Sequence, residues 1–265
     1  MDIAAAGSGE WREKIISFWI ARVDDVMAVL HTRESSFAQA RRRNLLFAGV
    51  FCGLCLLIWL WWVNNILSGH LLQTDAAVPV LLAFGAAGFV GKRFWHAYRK
   101  SASGDKGVER AMDVLRQLPD SYHILSNVQV PGAYCGLVVV GRNGVFIINT
   151  KHHNGTITPS NGDWGQEKTG RRGTDYSSSM RNPVKHMKRQ IHVLADYLKS
   201  VGMHVWVDGI VFFTNPDVIL NGCSDHFTDR GDAVRSYILN YRARFLLSDA
   251  DVLRLVQRLD HTRAS

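Results

Sequence analysis

A chain of 265 residues is long enough for one ordinary globular domain with an addition, or for two small domains. Its hydrophobic fraction of 47% is enough to bury a core and excludes wholesale disorder, while 31 Lys and Arg against 23 Asp and Glu leave a net charge of +8, which points to an anionic partner. Four scattered cysteines, Cys52, Cys55, Cys135 and Cys223, do not make a disulfide-stapled secreted fold and indicate a reducing compartment.

Near the start of the chain Trp11, Ile15, Trp19, Val23 and Met27 recur every four residues, with Ile16, Ile20 and Leu30 alongside. That period predicts an amphipathic helix, lying on the inner leaflet of a membrane or packed on the soluble part or on another copy. Asn44 to Thr74 then holds no charged residue, and Leu45–Val63 is unbroken apolar sequence. At 1.5 Å per residue it covers roughly 30 Å, the thickness of a hydrocarbon core, and is expected to be a transmembrane helix rather than a signal peptide. Trp59, Trp61 and Trp62 cluster at its far end, as rings do at a membrane boundary.

A second run, Ala76 to Gly91, is richer in Gly and Ala. Arg41, Arg42 and Arg43 precede the first run, and Lys92, Arg93, Arg99 and Lys100 follow the second, with neither Lys nor Arg between them. The positive-inside rule then predicts a two-helix transmembrane hairpin, spans about 45–66 and 76–92, with both termini and the soluble domain cytoplasmic. Gly49 and Gly53 facing Ala83, Ala87 and Gly91 would let the two backbones approach closely. Cys52 and Cys55 read as small apolar residues of the span.

The soluble part reads as a mixed α/β domain in the order αβββαβ…α. A helix is expected over Gly104–Leu118. Strands follow over His123–Val130, Leu137–Val140 and Val145–Ile148, the last two joined by a hairpin at Gly141–Gly144. Asn154–Met180, rich in Gly, Ser, Asn and Thr, reads as a loop; Asn182-Pro183 opens a helix to about Lys199; Val205–Thr214 is a buried strand; and Ser248 caps a helix over Asp249–Leu259. The divisions are thus 1–43 for the amphipathic helix and basic flank, 44–95 for the hairpin and 104–265 for the domain.

Gly104-x-x-Gly107 with Leu115 and Leu118, then Leu137–Gly141, Gly144–Ile148, Lys151-x-x-x-Gly155, Trp164, Asn182-Pro183 and the strand Gly209–Phe213 together resemble the nuclease-related domain, NERD, over roughly residues 104–220. The resemblance implies a PD-(D/E)xK nuclease-like fold, a mixed sheet flanked by helices, and metal-dependent phosphodiester cleavage. Its chemistry needs an Asp on one strand and a Glu two residues before a Lys on the next, the carboxylates holding Mg²⁺ and the Lys orienting the attacking water. The Lys falls on Lys151. The Glu falls on Asn149, the Asp on Gly136 or on Cys135, and the helical Glu on Val108, with Glu109 one residue late. The Gln after Asn-Pro falls on His186, with Gln190 one turn further along the same face, and the aromatic residue after the Lys is His153.

These departures imply a degenerate site, because an Asn offers a neutral oxygen and a Gly none. Metal assistance is worth several kcal/mol and each ~1.4 kcal/mol is tenfold in rate, so cleavage is expected to be slowed by roughly a thousandfold or more unless Glu109, Asp163 or Glu167 substitutes for a missing carboxylate. No cofactor is expected, Mg²⁺ entering only if the chain is an active nuclease. Adjacent His152 and His153 at a strand end point to opposite faces, and a three-His site from His123, His153 and His186 would need a tertiary coincidence.

The basic excess is local. Between Lys168 and Arg189 seven basic residues, Lys168, Arg171, Arg172, Arg181, Lys185, Lys188 and Arg189, stand against Asp175 alone, a net charge of +6. Phosphates of DNA or RNA, anionic lipid headgroups and bare solvent compete as what this strip meets. Three functions therefore remain open: a membrane-anchored, non-catalytic NERD-like module binding nucleic acid or a protein partner, with Lys151, Asn149 and Glu109 as its degenerate centre; an active Mg²⁺-dependent nuclease with relocated ligands; and a structural, homo-oligomeric or partner-bound subunit of a membrane assembly. The resemblance and topology together imply a bacterial inner membrane and its lipid bilayer as the setting.

Overall fold

The structure, a computed structural model, describes residues 28–31, 36–68, 74–170, 173–222 and 224–262. The expected amphipathic helix over Trp11 to Met27, as well as Arg171, Arg172 and Cys223, lies outside the described residues. The chain divides into two compact units, one over Glu34–Lys106 and one from Gly107 onward that also takes in the described residues 28–31.

The first unit is built from helix α1 (Ser36–Leu67) and the first part of helix α2 (Thr74–Leu115). Within α1, Gln39–Asn65 has a mean hydropathy of 2.3 over its most apolar window and, among the described residues, is the one stretch long and apolar enough to cross a membrane. A helix suits that role because every backbone group bonds within the segment. The second expected span does not reach this measure. Its run is shorter, is diluted by Pro79 and three glycines, and passes directly into Lys92 and Arg93 of the same helix.

Phe94 of α2 stacks on Phe47 and Phe51 of α1, with ring centroids 5.0 and 5.9 Å apart. A Cβ on Gly91 would stand 3.4 Å from that of Phe51, whereas nothing lies within 4 Å of the Cβ positions of Gly49 and Gly53. The helices meet through rings, and the expected approach through Gly49 and Gly53 is not formed. Arg41 donates to Asp105 at 2.7 Å, which brings the start of α1 beside the basic stretch of α2.

In the second unit, the helix expected from Gly104 is the end of the much longer α2. The remaining helices are α3 (Pro183–Ser200), α4 (Gly231–Leu239) and α5 (Asp249–His261). Asn182 and Ser248 cap α3 and α5, each accepting the N–H three residues on, and Pro183 takes the first helical position, where its missing N–H is not needed.

The strands are β1 (Val29–His31), β2 (His123–Val130), β3 (Ala133–Gly141), β4 (Gly144–Lys151), β5 (Gly155–Thr158), β6 (Trp164–Thr169), β7 (Asp175–Met180), β8 (Val207–Phe213), β9 (Val218–Leu220) and β10 (Phe227–Thr228). Six form a mixed sheet in the order β1-β2-β3-β4-β8-β10, in which β4 and β8 run parallel and β2, β3 and β4 form an antiparallel meander. Leu30, read from its spacing as part of a helix, lies in β1, where Val29–His31 pairs in parallel with β2.

Side chains alternate across this sheet, and helices cover both faces. Val138, Val145 and Ile147 pack with Leu194 and Leu198 of α3 and Val252, Leu255 and Leu259 of α5. Val139, Phe146, Ile148 and Ile210 pack on the other side with Ala111, Met112 and Leu115 of α2 and Val234 and Ile238 of α4. The result is a sheet between helical layers, consistent with a nuclease-like domain.

Asn154–Met180, expected as a loop, instead supplies three strands of a second sheet ordered β7-β6-β5-β9. Its inward face needs few apolar side chains: Ile157 and Trp164 reach Met187 of α3 and Phe213 of β8. Its outward face is Ser, Thr, Glu and Lys, so the alternation that marks a strand is nearly silent in hydropathy. Gly155 sits at φ +81°, with the Glu167 carbonyl against the place a Cβ would occupy, a close approach that only glycine permits.

Candidate functional site

The centre of interest lies where β4 ends beside the first turns of α3. Ile147 packs toward α3, so alternation puts Asn149 and Lys151 on that same face. One helical turn apart on α3, His186 and Gln190 are the residues that meet them. The Asn149 amide donates to Gln190 Oε1 at 2.8 Å, and Gln190 Nε2 donates to the Tyr134 carbonyl at 2.5 Å. This amide relay links β4, α3 and β3 through neutral groups. Gln190 is buried, and a buried amide requires such partners.

Cys135 and Gly136 stand on β3, where the resemblance would place an Asp. Cys135 is fully enclosed, and burial pushes its thiol up to about 12. Gly136 has open space where a Cβ would be, with nothing within 4 Å.

Lys151 is surrounded differently. Burial lowers its ammonium below the ordinary lysine value. Burial also brings His153 down to about 4, helped by the positive charges of Lys151, Lys168 and His152. His186 falls for the same reasons, with Lys151 and Arg189 as its charged neighbours. None of these shifts comes from a carboxylate, and among the described residues Lys151 forms no ion pair. His152 turns to the opposite face, its Nδ1 lying 3.0 Å from Thr214 Oγ1.

Beyond this centre, Arg181, Lys185, Lys188 and Arg189 are exposed along the start of α3, with no acidic partner among the described residues. Lys168 sits half-buried on β6 opposite Tyr176 of β7. Arg171 and Arg172 fall outside the described residues.

Residues 103–214 match the family model of the nuclease-related domain, NERD. No curated protein and no solved structure matches the chain. The NERD segment runs from the last turns of α2 to the end of β8 and contains the whole of the β4–α3 centre. Within it Gly107 is a packing residue: a Cβ there would stand 3.0 Å from both His152 Cβ and Thr214 Oγ1, so glycine lets α2 close on the strand ends. Arg110 fixes the same junction by donating to the Thr214 carbonyl at 2.9 Å.

The helical Glu position of the NERD pattern is Val108, which packs into the core, and Glu109 is exposed on α2, the helix that covers the opposite face of the sheet from α3. Asp163 is exposed in the turn between β5 and β6, and Glu167 is exposed on β6. The structure therefore brings Asn149, Lys151, His153, His186 and Gln190 together and leaves Glu109, Asp163 and Glu167 apart. His123 stands beside His31 of β1, their ring nitrogens 3.4 Å apart, away from the other two histidines of the imagined triad.

Among the described residues no group of three His, Cys, Asp or Glu side chains could hold a metal ion. The amide at Asn149 is engaged with Gln190, and the charges nearest the strand end are positive. These residues do not fit a divalent cation, which needs anionic oxygens. Sequence reading placed Gln190 on the right helix face but missed its partner, because the Tyr134 carbonyl is a backbone group with no side-chain signature. The proximity of Lys168 to His153 was hidden too, since it depends on a second sheet that reads as loop.

Proposed function

We propose that this chain is a membrane-anchored NERD-like module that binds nucleic-acid phosphates and performs no metal-dependent cleavage. The observation that carries the reading is the row of exposed cations leading into and along the start of α3, without acidic partners among the described residues, beside a strand end where Asn149 and Gly136 fall at the acidic positions of the NERD pattern. A cluster of basic residues along one helix face is the electrostatic footprint of a polyanion-binding surface. Lys185 and Lys188 have the reach to touch phosphates, and Arg181 and Arg189 extend the track to either side.

In this reading α1 crosses a bacterial inner membrane and the apolar run of α2 lies along it. The Arg41–Asp105 pair supports that arrangement by drawing the two basic flanks, Arg41–Arg43 and Lys92–Lys100, to one end, the end expected on the cytoplasmic side. The module would then meet DNA or RNA at the inner face of the membrane.

The test uses the full chain in detergent micelles, with fluorescently labelled DNA and RNA titrated at several salt concentrations. Replacing Lys185, Lys188 and Arg189 with Gln should lower the slope of log K against log salt by about 0.7–0.9 for each phosphate that is no longer neutralised. An unchanged slope removes the basic-face reading. Incubation of the same strands with Mg²⁺ or Mn²⁺ should leave them intact, whereas cleavage abolished by Lys151→Ala would restore the active-nuclease alternative.

A further inference from the structure

Resting on the nucleic-acid reading above, we propose that Lys151, His153 and His186 form a phosphate-monoester site, which receives the terminal phosphate of a strand whose backbone continues along the basic face of α3. Three independent features meet there. The first is an unpaired cation in a partly buried place: Lys151 projects from the end of β4 toward α3 with no carboxylate beside it among the described residues. A charge withdrawn from water without a counter-charge is unfavourable, and a bound anion removes that penalty.

The second is the donor set. An ammonium and two imidazoles from β4, the segment after it and α3 provide three separate donors, and a phosphate monoester provides three terminal oxygens with a charge of about −1.5 to −2 near neutral pH. An internal diester has two terminal oxygens and a single charge and matches the set less well. Lys168 and Arg189 lie close enough to add to the positive field at the imidazoles. The third is what borders the cluster. The Asn149–Gln190–Tyr134 relay engages the neighbouring amides with each other and with a backbone carbonyl, which leaves the cationic cluster as the anion-binding part of the strand end. Lys185, Lys188 and Arg189 continue outward from His186 on the same helix, giving the rest of a strand a charged path.

The measurement is anisotropy of the full chain in detergent with one oligonucleotide in two forms, 5′-phosphorylated and 5′-hydroxyl, at fixed ionic strength. Inorganic phosphate and short-chain phosphatidic acid serve as competitors. The phosphorylated form should bind about tenfold more tightly, and inorganic phosphate should abolish that difference. Lys151→Met, and separately His186→Gln on the exposed face of α3, should reduce the phosphorylated strand to the affinity of the hydroxyl one. Equal binding of the two forms by the native chain, or a preference that survives Lys151→Met, overturns the site while leaving the nucleic-acid reading in place. Failure of both forms to bind overturns that reading as well. Phosphatidic acid that binds in a Lys151-dependent way when neither strand end is preferred would assign the site to a lipid headgroup and overturn the strand-end proposal.

Discussion

Asn149 and Lys151 are two residues apart on one strand and share one face, yet their surroundings are opposites. Asn149 belongs to a completed chain of neutral hydrogen bonds, donating to Gln190, which donates to the Tyr134 carbonyl. Lys151 has no such partner among the described residues, and burial, helped by its charge, lowers the protonation of His153 and His186. The first arrangement stabilises the fold as it is, whereas the second leaves an electrostatic demand that the described residues do not meet. Where the resemblance to NERD implies one cooperative metal centre, this strand end has a hydrogen-bonded half and a cationic half.

The comparison is broken most directly at Gln190. Gln190→Leu keeps the volume but removes the acceptor of the Asn149 amide and buries an apolar side chain where the relay's central amide stood. Leaving a donor of this kind unpaired costs about 1–3 kcal/mol, so urea unfolding should show a loss in that range. A loss well below it would mean that the relay is not structural.

A smaller effect belongs to the cationic half. The His153 value of about 4 lies below the ordinary 6.5, so the unfolded chain binds the proton more readily than the folded one. Stability from this group is fully present above about pH 6.5 and is lost as pH falls toward 4. His186 shifts in the same direction, with Lys151 and Arg189 as its charged neighbours. The thermal midpoint of the native chain should therefore drop between pH 6.5 and 4, and His153→Gln combined with His186→Gln should flatten that part of the curve. A curve unchanged by the double replacement would show that the histidines titrate normally and that the cluster is more open than its burial indicates.

Much of the main sheet was legible in the sequence because β2, β3, β4 and β8 are dense in Val, Ile and Phe and their turns carry glycine. The caps Asn182 and Ser248 signalled their helices for equally local reasons. The second sheet was not legible: strands such as Asp175–Met180 bury almost nothing, and their partners are chosen by Trp164 and Ile157 packing on α3, a tertiary fact. β1 was hidden likewise, since Val29–His31 is a strand only because β2 offers an edge. At the site, Asn149 and Gly136 at the acidic positions of the NERD pattern could be read position by position. The Gln190 relay could not, because it depends on a helix face meeting a backbone carbonyl 56 residues away in sequence.

The smallest expected change has the opposite sign to the first, and it is the sharpest way to separate the halves. Lys151→Met keeps the aliphatic stem that packs at the end of β4 and removes only the ammonium. If that charge were satisfied within the fold, its removal would leave a partner exposed and destabilise the chain, as breaking a buried pair does by about 3–5 kcal/mol. With no carboxylate facing it among the described residues, removal instead relieves the desolvation of the ammonium. Stability measured without added anion should stay level or rise by up to about 1 kcal/mol. With phosphate present the order should reverse, because the native chain gains RT ln(1 + [L]/Kd) from a ligand that the variant no longer binds. A variant less stable than the native chain in phosphate-free buffer would mean that Lys151 is paired inside the fold, and the division of this strand end into a satisfied half and an unsatisfied half would then be wrong.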